Sequence, residues 1–154
     1  MPSRPDLVVR LVECDSPDFA ALASAHAVEL EDRYPGLGLD ALPAAQDLLA
    51  VVVAYRRERP VGCGALGELE FGVGELKRMF VLPEARRLGA GRRMLEALEA
   101  RGRALCYSAL RLGTGVRQPE AVALYESCGY RRVPLFGEYR EGGELCVCYE
   151  KALG

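Results

Sequence analysis

The stretch ARRLGAGRRM (Ala85 to Met94) sets Gly89 and Gly91 among Arg86, Arg87, Arg92 and Arg93 and runs straight into helix-forming sequence. Without a Cβ at either glycine, the backbone can turn sharply and aim consecutive N–H groups into one concavity at the positive end of a helix. Such a nest binds anions, and the forked donors of the surrounding guanidiniums suit a multiply charged phosphate. Two familiar phosphate motifs do not apply. A dinucleotide fingerprint needs a small residue three positions after its second glycine, where this chain has Met94, and a P-loop ends in Gly-Lys-Ser/Thr. GLGLDA (Gly36 to Ala41) matches the fingerprint formally, but it follows a helical pattern and precedes Pro43, so it is read as loop.

Other groups able to do chemistry are few. His26 is the single histidine and reads as a half-exposed helical residue. Six cysteines (Cys14, Cys63, Cys106, Cys128, Cys146 and Cys148) stand in a chain with an ordinary core composition, which points to free thiols. Cys146 and Cys148 are spaced for one face of a strand rather than for a tetrahedral site, so no metal is expected. With 20 basic against 22 acidic residues there is no overall field for nucleic acid, and the arginine cluster must serve something small. Met1 to Arg10 carries no apolar core of signal-peptide length, and charges interrupt every apolar run well before membrane-spanning length, which predicts a cytoplasmic protein that does not engage a membrane.

These groups need a scaffold, and 154 residues at 50% hydrophobic content suit one domain spanning 1–154. Asp6 to Cys14 reads as a strand. Ser16 to Tyr34, with a Ser cap and a following proline, reads as a helix ending at Pro35, and a short second helix is predicted over Ala44 to Leu49. Ala50 to Arg56, a turn at Arg57 to Pro60, and Val61 to Phe71 form a hairpin, which Gly74 to Leu82 extends. Gly91 to Leu105 carries Met94, Leu95, Leu98 and Leu105 on one helical stripe. A strand over Ala109 to Gly115, a helix from Pro119 and a last strand over Glu144 to Leu153 complete the order. A mixed, mostly antiparallel α/β sheet with helices on both faces buries all of these apolar surfaces.

In this order of elements, the loop resembles the central motif of the GNAT superfamily of N-acyltransferases: Arg or Gln, two residues, Gly, one residue, then Gly or Ala. Here it stands as Arg86, Gly89 and Gly91 after the lead-in VLPEA (Val81 to Ala85). AVALYESCGY (Ala121 to Tyr130) resembles the family's downstream segment, with Leu124, Tyr125, Gly129 and Tyr130 in the expected places. The resemblance implies the GNAT fold, with acetyl-CoA as co-substrate and an N-acetyltransferase activity. It places the pyrophosphate on Arg87, Gly89, Ala90, Gly91 and Arg92, with Arg86 beside them in the cofactor-binding set. Met79 and Val81 would offer backbone pairing to the pantetheine arm, which would lie like an added strand, with Phe80 between them in the cofactor-binding set. Gln118, where the family commonly has Asn, and Ala121 complete the cofactor set.

The same resemblance assigns catalysis. Acyl transfer from a thioester to an amine needs a base for the ammonium, since a free alkylamine titrates near ~10.4. Glu75, six residues before Val81, stands where some GNAT enzymes carry a glutamate base; the alternative is an ion pair with Lys77. Tyr125, on the inward stripe of its helix, becomes the proton donor to the departing thiolate; without the resemblance it reads as a core tyrosine. A backbone N–H near Val81 would polarise the thioester carbonyl. Arg33, Tyr34, Lys77, Arg78 and PLFGEYR (Pro134 to Arg140), Tyr139 included, give the acceptor side a cationic and aromatic character, which suits a small primary amine carrying a carboxylate or phosphate. Other readings keep the loop: a protein N-terminal or lysine acetyltransferase, or a non-catalytic acyl-CoA-binding module. Resembling proteins often form homodimers through the last strands.

Overall fold

The computed structural model describes residues 6–36 and 48–154. β1 (Leu7–Val12) leads into α1 (Pro17–Arg33), whose N-terminus is capped by Ser16 Oγ accepting the Phe19 N–H at 3.3 Å, with Pro17 in the first turn. β2 (Leu48–Arg56), β3 (Arg59–Glu70) and β4 (Val73–Val81) form an antiparallel meander. α2 (Ala90–Ala104), β5 (Ala109–Gly115), α3 (Pro119–Ser127), β6 (Arg131–Val133) and β7 (Cys146–Ala152) follow. A 3-10 segment, Gly137–Leu145, joins β6 to β7, so the last strand starts two residues later than the sequence pattern predicts. GLGLDA from 37 onward and most of the second helix expected over 44–49 fall outside the described residues; Leu48 and Leu49 belong to β2.

Among the described residues the strands form one seven-stranded sheet in the order β1-β2-β3-β4-β5-β7-β6. Both faces are covered. In β2, Val52 faces a core shared with Met94, Leu95 and Leu98 of α2, while Val51 and Val53 face a second core built on Phe19 and Leu22 of α1. A strand buried on both sides reads as a continuous apolar run, as LLAVVVAY does. β4 and β5 are the one parallel pair, and they pair only from Val73 opposite Ala109 to Glu75 opposite Arg111. Beyond Glu75 the two strands part, and the ends of β4 and β5 flank the opening.

Candidate active site

The glycine loop lies where this opening meets α2. Gly89 is the N-cap of α2 in the left-handed region (φ 88°), and no side chain caps the helix. The first-turn N–H groups of Ala90, Gly91 and Arg92 therefore keep no helical partner, as an anion nest requires. Gly91 acts through space: a Cβ there would come within 2.7 Å of Leu124 Cδ2, so its absence lets α3 approach the start of α2. The arginines divide. Arg87, with φ 69°, has no side-chain partner among the described residues, and Arg92 donates to Ser127 Oγ at 3.2 Å. Arg93 donates to the Leu7 carbonyl. Arg86 turns its side chain away from the nest: its Nε donates to the Val81 carbonyl at 3.0 Å and its Nη2 to both Glu29 oxygens at 2.8 and 3.1 Å. This side chain, expected in the cofactor-binding set, ties the loop to α1, because a half-buried guanidinium is drawn to the nearest carboxylate.

The stretch of β4 beside the opening carries a bulge. Cys63 pairs with Phe80 and Ala65 with Lys77, so three steps on β4 oppose two on β3, and Arg78 takes φ 58°. A bulge interrupts the ladder and re-aims the side chains that follow. Leu76 faces the α2-side core, yet Met79 and Val81 pack against that same core and Phe80 against the α1-side core, a switch of alternation that the extra residue produces. Cys63 Sγ donates to the Arg78 carbonyl at 3.3 Å and holds the bulge.

Glu75 stands at the fork itself and is 7% exposed. Tyr139 Oη donates to its Oε2 at 3.2 Å, and Lys77 Nζ lies 3.8 Å from its Oε1. Burial raises the Glu75 carboxyl above the usual carboxylate range; the Lys77 charge and the Tyr139 hydrogen bond pull it partly back, and Glu138 pushes it up again. Burial, followed by the Glu75 charge, likewise raises the Tyr139 phenol. The structure thus brings together Glu75, Lys77 and Tyr139.

Tyr125 packs edge-on against Tyr130 (5.9 Å between centroids) and at a tilt against Tyr149 (6.4 Å), and it is 4% exposed. Its hydroxyl has no protein partner among the described residues. Burial pushes its phenol upward, which keeps it a proton carrier at neutral pH.

The model of the acetyltransferase (GNAT) family matches residues 12–130. The chain belongs to this family. An "IAA acetyltransferase" of Azospirillum brasilense is 44% identical over 114 residues, 71% of this chain and 74% of that one. A structure assigned as an acyl-CoA N-acyltransferase from Klebsiella pneumoniae superposes with a TM-score of 0.81 at 33% identity, covering 96% of this chain and 98% of that one. A GNAT acetyltransferase from Elizabethkingia anophelis with acetyl-CoA bound has a TM-score of 0.72 at 16% identity over 97% and 100% of the two chains, which speaks to the fold. The chain is an acetyltransferase of this family.

Within this GNAT domain, two residues expected on the acceptor side are committed elsewhere. The Arg33 guanidinium meets the Glu120 carboxylate, Glu29 at 3.5 Å and the Arg117 carbonyl at 3.2 Å. Tyr34 is 2% exposed and its hydroxyl accepts the Arg117 N–H at 2.9 Å. Together they fasten the end of α1 to the β5–α3 connection. His26 is buried, at 8% exposure, and stacks on Phe80 at 5.0 Å between ring centres. Burial first, then Arg78, Arg86 and Arg33, push its pKa down to about 4, so it is neutral at physiological pH. Cys63 is raised by burial to about 12, a protonated thiol and no nucleophile. Nothing in the sequence pointed to Glu29 as the anchor of Arg86, although the sequence carried one sign that went unread. It did carry a sign of Gly113: alternate glycines in RLGTG put two missing Cβ atoms on one face of β5, a mark of close approach.

Proposed function

We propose that this protein acetylates the nitrogen of a small primary amine bearing a carboxylate or phosphate, by direct attack in a ternary complex, with Glu75 as the base. The observation that carries this reading is a buried carboxyl, raised by burial, at the fork where β4 leaves β5. Arg87, Gly89, Ala90, Gly91 and Arg92 would hold the pyrophosphate. Backbone groups of Met79, Phe80 and Val81 would pair with the pantetheine, with Gln118 and Ala121 beside it, and a backbone N–H of the bulged stretch would face the thioester oxygen. Glu75 takes a proton from the bound ammonium, the neutral nitrogen forms a bond to the carbonyl carbon, and collapse of the tetrahedral adduct breaks the C–S bond as that nitrogen releases its second proton to solvent. Tyr125 supplies the proton that the leaving thiolate takes up. Lys77 and Arg78 beside Glu75 favour an acceptor with an anionic group.

Thiol release from acetyl-CoA tests this with anionic amines, neutral amines and lysine-rich peptides, in the parent, Glu75→Gln and Gly89→Asp. Release that needs an anionic amine and falls in both variants supports the reading. Turnover confined to the peptides, or acetyl-CoA binding without turnover of any amine, overturns it.

A further inference from the structure

Tyr139 reaches Glu75 from the segment that crosses β5, and a glycine of that strand seats its ring. The 3-10 segment Gly137–Leu145 carries it across β5, where its ring occupies the space a side chain at Gly113 would fill: a Cβ there would come within 2.4 to 2.5 Å of three ring carbons. Phe136 braces the ring edge-on at 5.4 Å between centroids. Beneath it lies Cys148, fully buried and opposite Gly113 in the β5–β7 register. From this seat the phenol meets Oε2 of Glu75 and leaves Oε1, whose nearest cation, Lys77, stands at 3.8 Å, beyond hydrogen-bond range.

We propose that Tyr139 is a positioning residue: its ring on Gly113 and its hydroxyl on Oε2 hold the Glu75 carboxylate at the fork with Oε1 turned to the incoming amine. This rests on the reading of Glu75 as the base. A carboxylate on a strand rotates about its terminal torsions, and a base works only when a lone pair points at the proton it takes. A single donor on one oxygen fixes that rotation without neutralising the group. The other groups around Glu75 do not take this role. Arg111, opposite it on β5, is drawn to Glu150 at 2.6 Å and Glu70 at 3.1 Å. Glu138 in the 3-10 segment repels it, and the Cys148 thiol on β7 is kept protonated chiefly by burial. Lys77, on its own strand, stabilises the charge without a directed bond. The donor also sets the charge state: a hydrogen bond to the ionised carboxylate opposes the burial that favours the neutral acid.

Tyr139→Phe separates the hydroxyl from the ring, because phenylalanine keeps the seat on Gly113 and the contact with Phe136. Two readouts are taken on the full chain: the pH titration of the Glu75 carboxyl by carbon NMR, its resonance identified by its loss in Glu75→Gln, and the pH profile of kcat/KM for thiol release with the amine panel. Tyr139→Phe moves the Glu75 midpoint to higher pH, moves the acidic limb of kcat/KM with it, and lowers kcat/KM about tenfold on that limb, the scale of one hydrogen bond to a charged group. Gly113→Ala, which displaces the ring, moves both in the same direction. An unchanged midpoint and limb in Tyr139→Phe overturn the positioning role while leaving the base in place. Full activity in Glu75→Gln overturns the base reading itself, whatever the titration of Glu75 shows.

Discussion

Lowering the pH loads a proton onto the unfolded chain before the folded one, and His26 sets the size of the effect. Its ordinary value of 6.5 falls to about 4 in the folded protein, because the imidazole is buried against Phe80 with Nδ1 unpartnered and three arginines nearby. Between these two values the unfolded state binds more protons, so stability rises with pH across that window and is flat above it. The separation corresponds to an upper bound of about 3.4 kcal/mol, lost completely only below the folded value, and to about 2 kcal/mol between pH 7.5 and pH 5. The comparison is with His26→Leu, which cannot titrate and removes the orphaned nitrogen. Other titrating groups, among them Asp6 and Glu75, are common to both proteins and cancel in the difference. Urea denaturation should show the parent losing about 2 kcal/mol relative to the variant on going from pH 7.5 to pH 5. In melting temperature the loss is about 4–8 °C for a chain of this size. A parent-to-variant difference that stays constant from pH 7.5 to pH 4.5 would refute the argument, since it would mean that the folded imidazole titrates normally.

Three further outcomes can be measured. Glu29→Gln and Arg86→Gln should each lower stability by about 1–3 kcal/mol, with the double variant clearly less than additive in a thermal-denaturation cycle, because each single change leaves the other charge half-buried without its shortest ion pair. Additive losses would show that the pair is not coupled. Gly113→Ala should lower the melting temperature, by about 1–3 kcal/mol of overpacking against the Tyr139 ring, although alanine in a strand interior ordinarily stabilises by about 0.5–1 kcal/mol relative to glycine; a higher melting temperature would mean that the ring is not seated there. Tyr125→Phe should leave the melting temperature unchanged, since the lost hydroxyl has no protein partner, and should lower kcat about 100-fold. Unchanged steady-state kinetics would remove Tyr125 from the chemistry.

Where period and punctuation agree, the elements were legible. Ser16 and Pro17 announce α1, and Met94, Leu95 and Leu98 announce the stripe of α2 that is fully buried in the structure. Gly89 was legible as a turn residue, and its positive φ bears that out. Side-chain destinations were less so. Four arginines around two glycines look alike in sequence, yet Arg86 finds Glu29, Arg93 finds the Leu7 carbonyl and only Arg87 and Arg92 stay by the nest, because partners from α1 and β1 are brought in by tertiary packing. Arg33 and Tyr34 are engaged by protein partners for the same reason: Glu120 and the Arg117 N–H reach them across more than eighty positions of chain. His26 read as a half-exposed helical residue, and Phe80, brought in from β4, stacks over it in the fold.

The bulge in β4 shows why the acceptor side in particular resists prediction. Under strict alternation Glu75, Lys77, Met79 and Val81 share one face of the strand. In the structure Gly74 and Leu76 abut the α2-side core, which sends Glu75 to the opposite face with Tyr139, while Met79 and Val81 return to the α2 side after the extra residue at Arg78. A one-residue insertion thus separates the proposed base from the strand segment proposed to bind the pantetheine. Arginine at a positive φ gives no local warning, since it is not the residue that favours that conformation. The partition of β4 into two differently facing halves depends on β3 running straight past the bulge and on Cys63 holding the Arg78 carbonyl. Such contacts are fixed by pairing across the sheet, and the acceptor chemistry is therefore decided by register, which no single segment of the chain encodes.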